Sequence, residues 1–430
     1  MNALPTPTRL KLTLKALPAA CLLATFTGAS ALAPGQPDVV AEWNARLVQV
    51  MNAVPTHGPM QARNFAIMNV AMFEAINATA PRYQSYAGGV APQPGAAPEA
   101  AAATAAYRVL ARLYPSQAEQ LGSALAKDLE KLPDGPARRA GSALGEAAAA
   151  ATLAAREKDG AEQPGIYEAP DTSTAYQPNP GAKPVAPAWG KVPTWVLPDA
   201  SAFRPPAPPR PGSTAYKHDY QEVKSVGGKD STVRSPDQTD AARFWMILGT
   251  EAWVPVLRKL SEARGQTLAE SSRVYALVAL AASDAMSACW DAKYTYSYYR
   301  PVTAIRAGNG AGEFAPDPAW EPAIPTPPFP AYVSGHACYS GAAQRVLEGV
   351  FGRDADLSIT LTSRTAPGVS RRFARIGDVV EDISNARVWG GIHWRTDQTM
   401  GVALGGRVGA YVLEHALQPL PADQMATRPR

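Results

Sequence analysis

Apolar positions in this 430-residue chain return mostly at the period of a helix. Phe65, Met68, Met72 and Ile76 are three and four residues apart, which places them on one face of an α-helix. DVVAEWNARLVQVMNAV (38–54) and QARNFAIMNVAMFEAINAT (61–79) read as helices on this pattern. PEAAAATAAYRVLARLY (98–114) is rich in the strongest helix former, and AGSALGEAAAAATLAAREKDG (140–160) ends in Gly160, a natural helix stop. Periodicity returns at 237–265 and 271–300. Strand-like alternation is scarce and no internal repeat is found, so the fold class is predicted all-α. The four early segments read as core and scaffold.

Between these regions, residues 165–212 are crowded with proline, which excludes a helix or a central strand. Trp189, Trp195, Leu197 and Phe203 lie within it, and a solvated linker has little use for them. The segment is predicted to be a long ordered loop packed over the helices and framing a cleft. The chain then divides into an N-terminal helical region (34–164), this loop, and a C-terminal helical region (213–420), with 34–430 expected to form one compact domain.

Residues 1–33 read as an export signal. Arg9, Lys11 and Lys15 precede a mostly apolar run, ALPAACLLATFTGASALA, with small-x-small sites at Ala29–Ala31 and Ala31–Ala33. Pro18 stands where a lipoprotein signal wants an aliphatic residue before Cys21. A periplasmic or secreted location is expected. Loss of the three basic residues takes the net charge from +4 to +1, a poor balance for nucleic-acid binding. Cys289 and Cys338 remain, too few for a disulfide scaffold. They read as buried small residues, with one bridge open to them in an oxidising compartment.

The chemistry is concentrated in three segments: KYTYSYYRP, FPAYVSGHA and NARVWGGIHWRTD. Lys293 and Arg300 are seven apart, two turns on one helix face, and Pro301 is expected to end that helix. Tyrosines and Trp290 crowd this stripe, which suggests buried cations in need of an anion. Ser334 precedes the helix-like ACYSGAAQRVLEGVFG, an N-cap position at which the Gly335 amide can meet an anion, with His336 on the same turn. Gly390 and Gly391 separate Arg387 from His393. Asp397, one turn beyond His393, can bond one imidazole nitrogen and set the tautomer. Each piece alone has an ordinary reading: a solvated stripe, a capping serine beside a surface histidine, a helix-surface pair. His57, His218 and His415 are scattered, and no spacing suggests zinc.

Taken in order, Lys-x6-Arg-Pro, Ser-Gly-His and Arg-x5-His-x3-Asp resemble the motif set shared by vanadium-dependent haloperoxidases and the type 2 phosphatidic acid phosphatase superfamily. PPFPAYVSGHA is similar to the matching segment of fungal vanadium chloroperoxidases. KYTYSYYRPVTAIRAG and RNFAIMNVAMFEAIN look like exported bacterial relatives. The strong motifs cover about 290–401. The resemblance implies a helical bundle of this kind, often dimeric, and vanadate held by Lys293, Arg300, Ser334, Gly335 and Arg387, with vanadium bound to His393. His336 would be the acid–base group. A peroxovanadate would oxidise halide, with hydrogen peroxide as oxidant, to hypohalous acid that attacks a small organic acceptor. Phe329 and Trp290 match aromatic residues near the halide, and Phe329 leans toward a chloroperoxidase-like pocket. Asp397 would support His393 from behind.

Three positions depart from the pattern. Val333 replaces a frequent Pro and Ala386 a frequent Ser, while Leu248 stands where relatives often carry an Asp paired to a site cation. Two other readings use the same residues. One is an exported acid phosphatase with His393 as nucleophile and His336 as general acid. The other is a non-catalytic oxyanion-binding protein.

Overall fold

Thirteen α-helices, three short 3-10 helices and one short hairpin make up the regular structure in the computed structural model, which describes residues 38–421 apart from 87, 164, 180 and 309–312. The export signal expected at 1–33 lies outside the described residues. The first five helices are α1 (Val39–Ala53), α2 (Gly58–Thr79), α3 (Pro98–Leu113), α4 (Ala118–Glu130) and α5 (Pro136–Arg156). After the proline-rich segment come α6 (Thr214–Val226), α7 (Pro236–Phe244), α8 (Gly249–Arg264), α9 (Leu268–Tyr296) and α10 (Pro301–Ala307). The chain closes with α11 (Gly335–Phe351), the antiparallel strands β1 (Ile359–Thr362) and β2 (Ser370–Phe373), α12 (Ile376–Trp389) and α13 (Arg395–His415). Two four-residue strands are too short for alternation to register in the sequence.

Helices α2 and α9 are the axes of the structure because they are apolar on nearly every face. Almost every residue of α2 after Gly58 is buried, and α9 is buried along most of its 29 residues. The polar groups that α2 takes inside are paired. Asn69 exchanges amide hydrogen bonds with Asn44 of α1 at 2.9 Å, and Arg63 reaches Asp159 at 2.7 Å. Helices α11 and α13 pack backbone to backbone, since a Cβ on Gly405 would drive into the Cys338 carbonyl. This close contact brings the start of α11 beside the start of α13.

The proline-rich segment is an ordered covering layer, with Trp189, Trp195 and Leu197 buried. Prolines leave it poor in N–H donors but not in carbonyl acceptors. Tyrosines from below supply the donors: Tyr294 to the Val185 carbonyl, Tyr296 to Pro205, Tyr298 to Pro209 and Tyr332 to Pro206. The tyrosine crowding in KYTYSYY is therefore a docking strip for this loop. Three of its N–H groups go to one carboxylate. Asp284, fully buried in α9, accepts the amides of Trp195 (2.6 Å), Val196 (2.8 Å) and Leu197 (3.0 Å). Burial pushes the Asp284 pKa up to about 6 while the three amides hold it down.

One local expectation is corrected. Arg300 is not on the helix that carries Lys293. Helix α9 stops at Tyr296, where Ser297 turns left-handed (φ 45°). Residues 298–300 then run extended, with the Tyr299 amide on the Thr174 carbonyl at 2.8 Å and the Ala331 amide on the Tyr298 carbonyl at 2.9 Å. Arg300 is the N-cap of α10, and Pro301 opens that helix instead of ending the previous one. A pre-proline residue is pushed out of the helical region in either case.

Replacing Asp284 by Ala leaves three buried amides without an acceptor. The variant is expected to lose about 2–4 kcal/mol of stability, read as a lower urea midpoint, with faster native-state proteolysis within 165–212. An unchanged midpoint and cleavage rate would show that the loop is held by other contacts.

Candidate active site

The ends of α9, α11 and α12, together with three connecting segments, meet at a cavity of about 190 Å³. Its walls are mainly apolar and include Leu248, Trp290 and Phe329, while His336, Arg387 and His393 bring polar groups to it. The Trp290 and Phe329 rings lie 5.1 Å apart between centroids. A larger cleft of about 710 Å³ beside α5 contains none of the motif residues.

Three cations are buried here. Lys293, in the last turn of α9, donates to the carbonyls of Pro330 (2.7 Å) and Ala331 (3.0 Å). Arg300 donates through Nε to Phe329 O (2.8 Å) and through Nη1 to Ile392 O (2.6 Å) and His393 Nε2 (3.0 Å). Arg387 donates through Nη1 to Trp245 O (2.7 Å) and through Nη2 to Ala242 O (3.1 Å). The last two carbonyls belong to the C-terminal end of α7, the negative end of its dipole. With Leu248 in the position where a carboxylate was expected, Arg387 is oriented by main-chain oxygens, and no side-chain charge neutralises it there.

Three buried donor atoms of the site have no partner in the protein: Arg300 Nη2, Arg387 Nε and Ser334 Oγ. Ser334 does occupy the N-cap position of α11, but its hydroxyl makes no capping bond, so it remains free to donate. Its own amide is held by the Asp397 carbonyl at 3.1 Å. Gly335 begins α11, and a Cβ there would come within 3.2 Å of Trp290. Buried donors without acceptors are rare. Two of these belong to arginines that also carry the site's positive charge, and the third is a neutral hydroxyl beside them, as a cradle for an anion requires.

Both histidine tautomers follow from their neighbours. A guanidinium can only donate, so Nε2 of His393 accepts from Arg300 and carries a lone pair. The proton then sits on Nδ1, which donates to Asp397 Oδ2 at 2.8 Å; the same oxygen takes the Trp394 amide at 3.0 Å. A carbonyl can only accept, so His336 donates through Nε2 to Ile247 O at 2.9 Å, leaving a lone pair on Nδ1. Burial, followed by the Arg387 charge, lowers the His336 pKa to about 3. Burial and the cations hold His393 well below the usual imidazole range. Burial also brings Lys293 down to about 8, Arg300 to about 10 and Arg387 to about 9. Asp397 is pushed up to about 7 by burial.

All eight residues that the motifs single out, from Lys293 to Asp397, thus converge on one place. Sequence reading missed the carbonyls of Ala242, Trp245 and Ile247, because a backbone acceptor carries no residue signature. It also missed Met246 and Met286, which line the cavity. Cys289 and Cys338 are free and buried behind the cradle, with the Cys289 thiol on Val333 O at 3.5 Å.

Residues 273–421 match the family model described as the VCPO second helical-bundle domain. The span contains every one of these motif residues. The chain also resembles, at 26% identity over 229 residues, the vanadium chloroperoxidase of Curvularia inaequalis; the match covers 39% of this chain and 37% of that protein. The crystal structure of a bacterial vanadium-dependent iodoperoxidase superposes with a TM-score of 0.77 at 26% identity, over 89% of this chain and 97% of that one. In its fold and its C-terminal motif residues the chain is thus similar to vanadium-dependent haloperoxidases. The apo form of a bacterial vanadium-dependent chloroperoxidase shares the fold, with a TM-score of 0.70 at 19% identity over 84% of this chain and 94% of that one. The chain spans only about 37% of the length of the fungal relative. At 89% of this chain, the likeness to the iodoperoxidase structure extends into both helical regions.

The charge pattern of the site predicts a pH dependence of anion binding. Lys293 titrates near pH 8 in the anion-free site, and an anion binds the protonated form better. Affinity therefore falls as pH rises above 8, toward tenfold per pH unit for one linked proton. Molybdate, which keeps its charge in this range, should show the fall between pH 8 and 9.5 by titration calorimetry. Lys293→Met should bind more weakly at pH 7 and show a shallower fall, the remainder belonging to Arg387, which burial brings down to about 9. A flat profile in the wild-type protein would mean that Lys293 does not face the anion.

Proposed function

We propose that this chain is an exported vanadate-dependent haloperoxidase. In this reading it oxidises halide with hydrogen peroxide to hypohalous acid, which then attacks a small organic acceptor: H2O2 + X− + H+ → HOX + H2O. The observation that carries the reading is the His393 Nε2 lone pair, backed by Asp397 through Nδ1 and set beside unpartnered donors on Arg300, Ser334 and Arg387.

This donor set fits vanadate. His393 Nε2 would bind the metal, and Lys293, Arg300, Arg387, Ser334 and the Gly335 amide would neutralise and hold its oxygens. When bound, vanadate supplies a Lewis acid that makes hydrogen peroxide electrophilic toward halide at a constant oxidation state. The protein does the rest. Asp397 keeps the His393 proton on Nδ1, so that Nε2 stays a ligand. Three fixed cations hold negative charge away from water without reorganising. His336, neutral with its lone pair on Nδ1, takes the peroxide proton and returns it to the departing oxygen. Burial is the larger cause of this histidine's low pKa and Arg387 the second; a bound anion would offset the second and raise it. The apolar walls around Trp290 and Phe329 exclude bulk water from the halide.

Export is supported by the basic and apolar pattern of residues 1–33, and dimer formation by the family resemblance alone. No helix among the described residues is long and apolar enough to cross a membrane. The same His393 geometry suits attack on phosphorus, so acid phosphatase activity is the second reading.

The test is halogenation of monochlorodimedone with peroxide and chloride, bromide or iodide, before and after vanadate loading, with p-nitrophenyl phosphate hydrolysis in parallel. Halogenation that depends on vanadate is expected, and activity with chloride would support the Phe329 argument. Hydrolysis inhibited by vanadate, without halogenation, would make His393 a nucleophile instead. His336→Ala should keep vanadate bound and lose about 10²–10⁴ in turnover, whereas His393→Ala should lose vanadate itself. If His336→Ala binds vanadate and neither protein turns over any of these substrates, the chain is an oxyanion-binding protein.

A further inference from the structure

Two of the seven methionines among the described residues line the cavity, and they sit at different depths. Met286, on α9, is only 5% exposed. Its methyl group is 3.6 Å from where a Cβ on Gly335 would stand, and 3.5 Å from the same point on Gly58. The thioether therefore packs against the amide end of the oxyanion cradle. Met246, in the turn between α7 and α8, is 38% exposed and lines the same cavity. The other five lie outside it: Met51, Met68 and Met72 are buried in the core, and Met60 and Met400 are half-buried.

Resting on the haloperoxidase reading, we propose that Met286 and Met246 are self-modification sites, oxidised to sulfoxides by the hypohalous acid made beside them. Thioethers are soft nucleophiles, and both lie where the oxidant is made or leaves. The sulfur lone pair attacks the electrophilic halogen, giving a halosulfonium ion and hydroxide. Water then adds its oxygen to sulfur, and halide and protons depart. In net terms, one thioether and one hypohalous acid give one sulfoxide, one proton and one halide ion. Sulfur is oxidised by two electrons and the halogen is reduced to halide. The halide can re-enter the cycle, so an acceptor-starved enzyme continues to modify itself. A sulfoxide at Met286 puts a polar oxygen and a stiffer side chain against Gly335 and disables the cradle. One at Met246 projects toward solvent and leaves the cradle intact. Inactivation therefore follows Met286, and methionine sulfoxide reductases, which act on one epimer each, reverse it.

The test uses the full vanadate-loaded chain with peroxide and bromide, without organic acceptor, quenched with free methionine and mapped by peptide mass spectrometry. A parallel sample with monochlorodimedone confirms halogenation. Met286 and Met246 should gain oxygen at least about fivefold faster than Met60 and Met400, reversing at Met286 the order that exposure alone would set. Hypobromite added from outside to vanadate-free protein should instead modify Met60 and Met400 ahead of Met286. Met286→Leu should keep its own initial rate for several times as many turnovers. Halogenation with Met286 no faster than Met60 and Met400 would overturn the proposal alone, as would an equally short-lived Met286→Leu enzyme. Absence of halogenation would overturn both the proposal and the reading beneath it.

Discussion

Three positive charges with almost no exposure to water, Lys293, Arg300 and Arg387, meet at a site whose carboxylate, Asp397, is engaged by His393 and the Trp394 amide instead of by any of them. Removing charges from water costs several kcal/mol each unless partners replace the lost hydration. The protein supplies part of that replacement with main-chain oxygens. Carbonyls of residues 242, 245, 329, 330, 331 and 392 each accept one guanidinium or ammonium proton. Carbonyls are dipoles, so they orient a cation without cancelling it. The charge left over is what an oxyanion would meet, and the free donors on Arg300, Arg387 and Ser334 mark where it would sit.

Much of the remaining architecture serves to present those carbonyls. Segment 329–334 must run past the end of α9 for Lys293 to reach it, and the extended residues 298–300 hold that segment through the Ala331 amide. The proline-rich layer closes over this crossing. It is fastened by tyrosines of the same stretch and by Asp284 two and a half turns before Lys293 on α9. A layer poor in N–H groups is well suited to this, because it needs few acceptors from below and offers carbonyls to phenolic donors. Helix α9 thus anchors the cover and carries a cation of the site, and the close packing of α11 on α13 brings Ser334 to Asp397.

The fold class was legible because helical periodicity depends on local spacing, as in Phe65, Met68, Met72 and Ile76. The ordered state of 165–212 could be read from Trp189, Trp195 and Leu197, which have no place in solvent. The pairing of Asp397 with His393 was readable from a single helical turn. The path of Arg300 was not. A run from Lys293 to Pro301 looks like one continuous helix until the pairing of 298–300 with 174–176 and 331 makes the extended form cheaper. The hairpin at 359–373 was too short to leave a pattern.

By itself the sequence determined which side chains could do chemistry here: two arginines, a lysine, a serine, two histidines and an aspartate, in an order with few other uses. Only the tertiary structure decided how they are charged and aimed. Tautomers are set by the Arg300 guanidinium and the Ile247 carbonyl. The unbalanced charge at Arg387 arises where the end of α7 meets α12, and the thioethers of Met246 and Met286 reach one cavity from the α7–α8 turn and from α9. Those outcomes depend on backbone oxygens and on contacts between distant segments, and neither is written in the identity or spacing of residues along the chain.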